Sequence, residues 1–176
     1  MQTAGTLSIV VPLYEEQENV PTLITRIHAG LQDLEMPWEL ICIDDGSTDA
    51  TWIRLREAVL EHGEHIKPLR LSRNFGQSAA MQAGIDAARG EFIVTLDGDL
   101  QNDPADIPRM VKELQERGLD LLQGWRKIRK DAFLMRRLPS RIANKLIAKV
   151  SGVALNDYGC SLKVYRAEVI KKTVSY

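Results

Sequence analysis

Short apolar runs alternate with segments of helical periodicity through the first 125 residues of the chain. An apolar run bounded by polar and turn residues predicts a buried strand, and apolar residues three and four apart predict a helix with one buried face. Five strands are predicted at residues 7–11, 40–43, 66–71, 92–96 and 120–124. Helices are predicted from Asn19 to about residue 34, from Asp49 to about residue 61, over residues 77–88, and from Asp103 to about residue 117.

This regular alternation of strands and helices is typical of a Rossmann-like, doubly wound α/β fold with a mostly parallel sheet. The third predicted helix is rich in alanine and contains Gly84, so it can lie close to the sheet. No Gly-x-Gly-x-x-Gly sequence follows the first strand, and no P-loop Gly-Lys-Ser/Thr sequence occurs. Their absence argues against a dinucleotide oxidoreductase and against a P-loop NTPase.

Two of the predicted strands end in acidic residues. Residues 92–96 lead into Asp97-Gly98-Asp99, and residues 40–43 lead into Asp44-Asp45. Ligands of open α/β sheets bind outside the carboxyl ends of the strands. Two carboxylates held about 4 Å apart repel each other by roughly 4 kcal/mol at an effective dielectric constant of about 20, and a divalent cation removes that repulsion. The pattern indicates either a metal site that binds phosphate or a solvated acidic turn.

The composition is typical of one globular domain: 176 residues, of which 44% are hydrophobic and 27% are charged. No apolar run approaches the roughly 18 residues of a transmembrane helix, and the first residues do not resemble a signal peptide. Cys42 falls in a predicted buried strand, and Cys160 is the other cysteine. This usage favours a reduced, cytosolic compartment over a disulfide framework.

Charge is divided unevenly along the chain. Residues 1–125 hold 21 acidic and 10 basic residues, whereas residues 126–176 hold 3 acidic and 13 basic residues. Residues 126–149 alone contain nine basic residues and one acid, with apolar residues recurring every four positions, and Pro139 predicts either a kinked helix or a loop followed by a helix. The segment fits a membrane surface or an anionic partner, or else a core-packed helix with a charged outer face.

Six motifs in order resemble one family, the inverting glycosyltransferases with the GT-A fold, in the branch that attaches sugars to polyprenyl phosphates. The motifs are Val10-Val11-Pro12-Leu13-Tyr14-Glu15-Glu16, Asp44-Asp45-Gly46-Ser47-Thr48-Asp49, Arg73-Asn74-Phe75-Gly76, Leu96-Asp97-Gly98-Asp99-Leu100-Gln101, Gly124-Trp125-Arg126 and Asp157-Tyr158-Gly159-Cys160. The branch includes dolichol-phosphate mannose synthases. The last motif is most similar to bacterial undecaprenyl-phosphate 4-deoxy-4-formamido-L-arabinose transferases.

The resemblance implies a donor site in residues 1–125. Pro12, Tyr14 and Glu16 would line the nucleoside pocket, and Asp45 would hold the base or the ribose of a UDP- or GDP-linked sugar. For Pro12 and Tyr14 taken alone, a role in loop structure fits equally well. The resemblance also implies a metal site for Mg²⁺ or Mn²⁺ that bridges the donor diphosphate. Its ligands would be Asp97, Asp99 and Gln101. Arg73 and Asn74 would orient the end of the third strand, or serve only as structural turn residues.

The resemblance implies an acceptor side in residues 126–176. Arg126, Arg136 and Ser140 match positions that hold the lipid phosphate. Asp157 matches a catalytic carboxylate, which would act as a general base or position the acceptor or the sugar hydroxyls. Asp99 and Arg126 are the other expected catalytic residues.

Family members continue into further catalytic-domain chain and transmembrane helices, so this chain resembles a C-terminally truncated domain. The expected activity is metal-dependent, inverting sugar transfer to undecaprenyl phosphate at the cytoplasmic face of the inner membrane. No nucleic-acid partner is expected. The alternatives are a glycosyltransferase with a carbohydrate acceptor and a non-catalytic fragment that binds nucleotide sugars.

Overall fold

The computed structural model describes residues 3–124 and 161–173. The basic segment at residues 126–149 therefore lies outside the described residues. The strands are β1 Thr3–Leu13, β2 Trp38–Asp44, β3 Ile66–Arg70, β4 Gly90–Thr95, β5 Leu121–Gln123 and β6 Lys163–Arg166. The helices are α1 Val20–Gly30, α2 Thr51–His62, α3 Gln77–Ala87, α4 Ile107–Glu116 and α5 Ala167–Thr173, with a 3₁₀ turn at Pro104–Asp106.

The described strands form one six-stranded sheet in the order β3-β2-β1-β4-β6-β5. Strands β3, β2, β1 and β4 run parallel, and β6 is antiparallel to both of its neighbours, β4 and β5. The predicted α/β architecture with a mostly parallel sheet is therefore confirmed. Strand β6 was not predicted, because only Val164 of its four residues is fully buried and so short a segment has no clear periodicity.

The central strands are buried on both faces, as the apolar runs predicted. On β1, Ile9 and Val11 pack in the larger core cluster with residues of α1, α2 and α4, whereas Val10 packs on the opposite face with residues of α3 and α5. Cys42 lies in the larger cluster as a free thiol, and burial raises its pKa to about 12. None of the helices in residues 3–124 and 161–173 is both long and apolar enough to cross a membrane.

Helix α3 lies close to the sheet, as its small residues predicted. A Cβ atom at Gly84 would come within 2.4 Å of Val10 Cγ1 and within 2.5 Å of Ile43 Cδ1, so only glycine fits. Helix α3 therefore packs closely on β1 and β2. Its first residue, Gln77, reaches Asp97 just beyond the end of β4.

Strand β1 continues two residues beyond its predicted end, through Pro12 to Leu13. Proline is tolerated here because the pairing of β1 with β4 ends at Val10, so its missing N–H removes no bond on that side. The pairing with β2 continues to Leu13, whose carbonyl accepts a hydrogen bond from Asp45 N–H at 2.8 Å. The longer strand brings Pro12 and Leu13 to the acidic edge of the sheet.

Four predicted helix ends differ in detail. Helix α1 ends at Gly30, and Leu31 and Leu34 reach the core through a turn in which Leu34 N–H donates to the Leu31 carbonyl at 2.9 Å. Asn19 precedes α1 but does not cap it with its side chain.

Asp49 precedes α2 by two residues, and its carboxylate accepts from Thr51 N–H at 2.9 Å. Asp103 caps the 3₁₀ turn through Ala105 N–H rather than capping α4 directly.

Candidate active site

A cavity of about 360 Å³ opens at the carboxyl ends of β1, β2 and β4. It is bounded by the loops that follow these strands and by the start of α3. The residues that line it are Pro12, Leu13, Tyr14, Glu16, Asp45, Asn74, Gly76, Gln77, Asp97, Gly98 and Asp99. The structure thus brings together the predicted residues Pro12, Tyr14, Glu16, Asp45, Asp97 and Asp99.

The acidic pair after β4 is positioned by a close approach of two strand ends. A Cβ atom at Gly98 would lie 2.3 Å from Leu13 Cδ2, so the absence of a side chain lets the Asp97-Gly98-Asp99 turn rest against β1. Asp97 Oδ1 accepts a hydrogen bond from Gln77 Nε2 at 2.7 Å, and Asp99 Oδ1 accepts one from Gln101 N–H at 3.1 Å. Both carboxylates are therefore oriented at the rim of the cavity.

Strained backbone lies on either side of the cavity. Glu15 has φ of 54° and Leu100 has φ of 63°, a left-handed conformation that costs a non-glycine residue about 1–2 kcal/mol. Hydrogen bonds hold the first of these loops: Glu15 N–H donates to Ser47 Oγ at 2.9 Å and Glu16 N–H donates to Thr51 Oγ1 at 2.8 Å. Strain of this kind, maintained by surrounding contacts, is concentrated at functional sites.

Asp45 is buried and connects the β2 loop to the loop before α3. Its Oδ1 accepts from Phe75 N–H at 2.8 Å and its Oδ2 accepts from Gly76 N–H at 2.9 Å. A Cβ at Gly46 would lie 2.3 Å from the carbonyl carbon of Arg73, so the two loops cross in direct contact. Asp45 thus has a structural role that the sequence did not indicate, and each of its oxygens keeps a second lone pair for a ligand.

Asp44 is fully buried and has a structural environment of its own. Its Oδ1 accepts from Ser47 N–H at 2.9 Å, and Arg70 Nε lies 3.1 Å from Oδ2 in an ion pair that is not aligned as a hydrogen bond. Arg70 also lies over the Trp52 ring, with its guanidinium carbon 5.7 Å from the ring centroid. Asp44 therefore stabilises the turn that presents Asp45 to the cavity.

The cavity has a strongly negative lining. Glu16, Asp45, Asp97 and Asp99 contribute carboxylates, and none of the described lining residues is lysine or arginine. A diphosphate entering this cavity would be repelled unless a cation accompanied it. Carboxylate oxygens suit Mg²⁺ and Mn²⁺.

The residues present fit such an ion as part of a shared coordination shell. Within residues 3–124 and 161–173, no three His, Cys, Asp or Glu side chains form a metal-binding group by themselves. Mg²⁺ is usually held by one or two carboxylates together with substrate phosphates and water. Asp97 and Asp99 meet that requirement.

Several predicted site residues are not brought into the cavity. Gln101 is not among the lining residues, and its role as a metal ligand stays a prediction. Asn74 lines the cavity, whereas Arg73 stacks its guanidinium carbon 4.8 Å from the centroid of the Phe75 ring. The remaining predicted residues lie outside the described residues: Arg126, Arg136, Ser140 and Asp157.

Gln77 is a site residue that the sequence analysis missed. Its side chain donates to Asp97, and it lines the cavity from the first position of α3. Its position directly after the Arg73–Gly76 motif could have indicated it, because the first turn of that helix faces the acidic strand ends.

The fold and the cavity together define a GT-A-like α/β domain with an acid-lined cleft at the ends of its parallel strands. The chain belongs to Glycosyl transferase family 2, whose family model matches residues 8–174. The expected family is therefore confirmed.

The curated relatives support the predicted branch. The chain is 56% identical over 166 residues to a dodecaprenyl-phosphate galacturonate synthase of Rhizobium johnstonii, covering 94% of this chain and 49% of that protein. It is 41% identical to an undecaprenyl-phosphate 4-deoxy-4-formamido-L-arabinose transferase of Shewanella sediminis, covering 97% of this chain and 51% of that protein. The chain spans about half the length of the curated relatives that it matches.

Solved structures show the same fold at low identity. A Pyrobaculum calidifontis mannosyltransferase in complex with GDP-Man and Mn²⁺ matches with a TM-score of 0.69 and 17% identity, covering 96% of this chain and 46% of that one. Glucosyl-3-phosphoglycerate synthase of Mycobacterium tuberculosis, in complex with Mn²⁺, UDP and glucosyl-3-phosphoglycerate, matches with a TM-score of 0.68 and 22% identity, covering 94% of this chain and 58% of that one. These likenesses confirm the GT-A-like fold.

Proposed function

We propose that this chain is the donor-binding part of an inverting glycosyltransferase that transfers a sugar from a nucleotide sugar to a polyprenyl phosphate. The observation that carries the proposal is the cavity itself. Glu16, Asp45, Asp97 and Asp99 converge at the strand ends without a basic side chain among the described lining residues. A ligand suited to this lining brings its anionic group together with a metal ion, as a nucleoside diphosphate does.

The donor would lie across the cavity with its nucleoside near Pro12, Tyr14 and Glu16 and its diphosphate near Asp97 and Asp99. Asn19 Nδ2 donates to Glu16 Oε2 at 2.5 Å, which orients the Glu16 carboxylate. When bound, Mg²⁺ or Mn²⁺ would supply Lewis-acid stabilisation of the charge on the leaving nucleoside diphosphate. Gln101 remains the proposed third protein ligand. Whether the nucleotide is UDP or GDP is a question for the binding experiment.

We propose that residues 126–176 form the acceptor side and complement the donor-binding residues 1–125. The curated relatives are named for transfer to dodecaprenyl and undecaprenyl phosphate, which supports a polyprenyl phosphate acceptor. The cytoplasmic face of the membrane stays part of the proposal. Arg126, Arg136 and Ser140 would hold the acceptor phosphate, because guanidinium groups bind phosphate bidentately. Asp157 would position the acceptor, since a phosphate is ionised at neutral pH without a general base.

Titration calorimetry with UDP and GDP, with and without Mn²⁺, tests the donor site directly. Binding should require the metal and should fall at least tenfold in Asp99→Asn. The matched control is Asp86→Asn, which removes an exposed carboxylate of α3 that does not line the cavity. Equal nucleotide affinity in the presence of EDTA would refute the metal-dependent donor site. Metal-dependent binding without sugar transfer by the full-length protein would favour a non-catalytic binding role.

A further inference from the structure

A second cavity of about 440 Å³ adjoins the candidate active site. It lies between α3, β4, β6 and α5, and it shares Gln77 and Asp97 with the first cavity. The hydrogen bond between these two side chains therefore forms the boundary between the cavities. The other lining residues are Ser78, Met81, Gln82, Ile85, Thr95, Ser161, Lys163, Tyr165 and Ile170. We call this second cavity the α3–β6 groove.

Lys163 supplies the positive charge of the groove. It is the only lysine or arginine among the described residues that line either cavity. In the antiparallel pairing of β4 and β6 it lies opposite Thr95, so both side chains project from the same face of the sheet. Thr95 Oγ1 donates to the Ser161 carbonyl at 2.9 Å and fixes the start of β6. Lys163 is thereby held beside the end of β4 that carries Asp97.

The far end of the groove is apolar. Met81 and Ile85 are one helical turn apart on α3, and Ile170 of α5 lines the groove with them. A groove with one cation near the reacting centre and an aliphatic wall beyond it suits an amphiphile with an anionic head. A nucleotide sugar has no comparable apolar part.

We propose that the α3–β6 groove forms part of the acceptor site for the polyprenyl phosphate, with Lys163 as a further contact of the acceptor phosphate and the first isoprene units against Met81, Ile85 and Ile170. This inference rests on the proposed function. In the transfer, an acceptor phosphate oxygen forms a bond to C1 of the donor sugar. The bond from C1 to the diphosphate oxygen breaks, and its electron pair leaves with the nucleoside diphosphate. No proton has to be removed from an ionised acceptor phosphate.

The position of the groove agrees with this reaction. The donor diphosphate would be held with the metal at Asp97 and Asp99, and Asp97 lines both cavities. An acceptor in the groove would approach the sugar from the side opposite the nucleoside. Lys163 would draw the acceptor phosphate to that position and offset its repulsion by the neighbouring carboxylates.

Binding of farnesyl phosphate to this chain tests the proposal without requiring turnover. Farnesyl phosphate should bind more tightly than either farnesol or inorganic phosphate, because the groove offers both a cation and an apolar wall. Lys163→Gln should weaken its binding at least fivefold and leave Mn²⁺-dependent nucleotide affinity within twofold. Lys163→Arg should restore binding. Lys112→Gln, an exposed lysine on α4, is the charge-matched control.

A second pair of variants tests the groove with little risk to folding. Ser78→Asp places a negative charge in the groove, in the first turn of α3 where an acidic residue favours the helix. It should weaken farnesyl phosphate binding at least fivefold. Ala79→Asp adds the same charge at the next exposed position, which does not line the groove, and should change binding less than twofold.

The outcomes separate this proposal from the proposed function. If wild-type chain does not bind farnesyl phosphate, or if Lys163→Gln weakens nucleotide binding instead, the acceptor groove is refuted and Lys163 serves the donor or the fold. If Ala79→Asp acts as strongly as Ser78→Asp, the effect is one of general charge and the groove is likewise refuted. Loss of metal-dependent nucleotide binding in wild type, with farnesyl phosphate binding intact, would refute the donor site and leave the groove standing.

Discussion

Gly46 occupies the crossing point of the two loops that build one wall of the candidate active site. Its φ is +70°, and an added Cβ would lie 2.3 Å from the carbonyl carbon and 2.6 Å from the Cα of Arg73. These are backbone atoms, so neither can move aside without displacing Asn74 and Gly76 in the cavity wall. Glycine is therefore required here for two reasons: the positive φ, and the overlap of any side chain with the Arg73 backbone.

We therefore expect Gly46→Ala to lower the free energy of unfolding by about 2–4 kcal/mol, combining a steric overlap with a left-handed alanine. Gly118→Ala is the matched control, because Gly118 has φ of +61° with nothing within 4 Å of its added Cβ. Gly118→Ala should lower the free energy of unfolding by only about 1 kcal/mol. Urea denaturation of both variants measures the difference, and equal losses would show that the loops separate easily.

Asp45 connects the fold to the site through its two hydrogen bonds to Phe75 and Gly76. Asp45→Ala should reduce stability by about 2–3 kcal/mol, because Phe75 N–H loses its acceptor and Gly76 N–H keeps only the Asn74 Oδ1 atom, 3.0 Å away. It should also weaken nucleotide binding at a temperature where the variant is still folded, since the loop before α3 lines the cavity. Asp86→Ala provides the control for a lost exposed carboxylate. Unchanged stability with weakened binding would assign Asp45 to the ligand alone.

At the scale of elements, the three histidines of the chain join α1, the end of α2 and the turn before β3 at the amino end of the sheet, opposite the candidate active site. His28 Nε2 lies 2.8 Å from His65 Nε2, and His28 Nδ1 lies 2.9 Å from the Ile24 carbonyl. A carbonyl only accepts, so a neutral His28 ring carries its proton on Nδ1 and accepts from His65 through Nε2. His62 stacks on His28 with ring centroids 4.7 Å apart, and Glu61 Oε2 lies 3.9 Å from His62 Nε2.

This cluster should make stability depend on pH. Burial, followed by the neighbouring His28 and His62, lowers the pKa of His65 below its ordinary value. His65 therefore takes up a proton more readily in the unfolded chain than in the folded one. The stability that His65 contributes to the folded state is complete above pH about 6.5 and is lost as the pH falls below that value. Measured between about pH 5 and 7, the unfolding free energy should rise with pH, and His65→Gln should flatten that rise.

Glu39 also has a shifted pKa, but it affects stability in a more acidic pH range than His65 does. Burial alone would raise the pKa of Glu39, but hydrogen bonds from Lys67 and Ser8 outweigh it and lower the pKa below 4.5. The stability from Glu39 is therefore present above its unfolded pKa and is lost only in more acidic solution. A slope between pH 5 and 7 that persists in His65→Gln would show that another group titrates there.

The predictability of the elements follows from their burial. Strand β4 and helix α3 were predicted within one or two residues. An apolar run buried on both faces and a helix of small residues can each pack against a sheet in only one way. Strand β6 could not be predicted, since pairing on both edges holds its four residues rather than a pattern of their own. For the same reason the sequence located the carboxylates of the candidate active site but gave no indication of the α3–β6 groove.

At the scale of the whole molecule, charge separates two parts of the chain. Residues 1–125 supply an excess of acids, and four of these acids line the candidate active site. Residues 126–149 supply nine bases against one acid, and they lie outside the described residues. Donor binding does not account for these bases, because the proposed metal already offsets the donor phosphates. Each basic residue near an anionic bilayer adds about 1 kcal/mol of attraction, so this segment is the proposed membrane-facing part.

We therefore predict that the chain sediments with anionic liposomes at low salt and is released at about 0.5 M NaCl, where the screening length is only about 4–5 Å. Removing two charges with Arg136→Gln and Arg137→Gln should weaken partitioning roughly thirtyfold, or about 2 kcal/mol. The control removes two charges from the α4 region, with Lys112→Gln and Arg117→Gln, and should have little effect. Equal loss in both double variants, or equal binding to zwitterionic liposomes, would mean that net charge or apolar contact governs binding and that residues 126–149 do not direct the chain to the membrane.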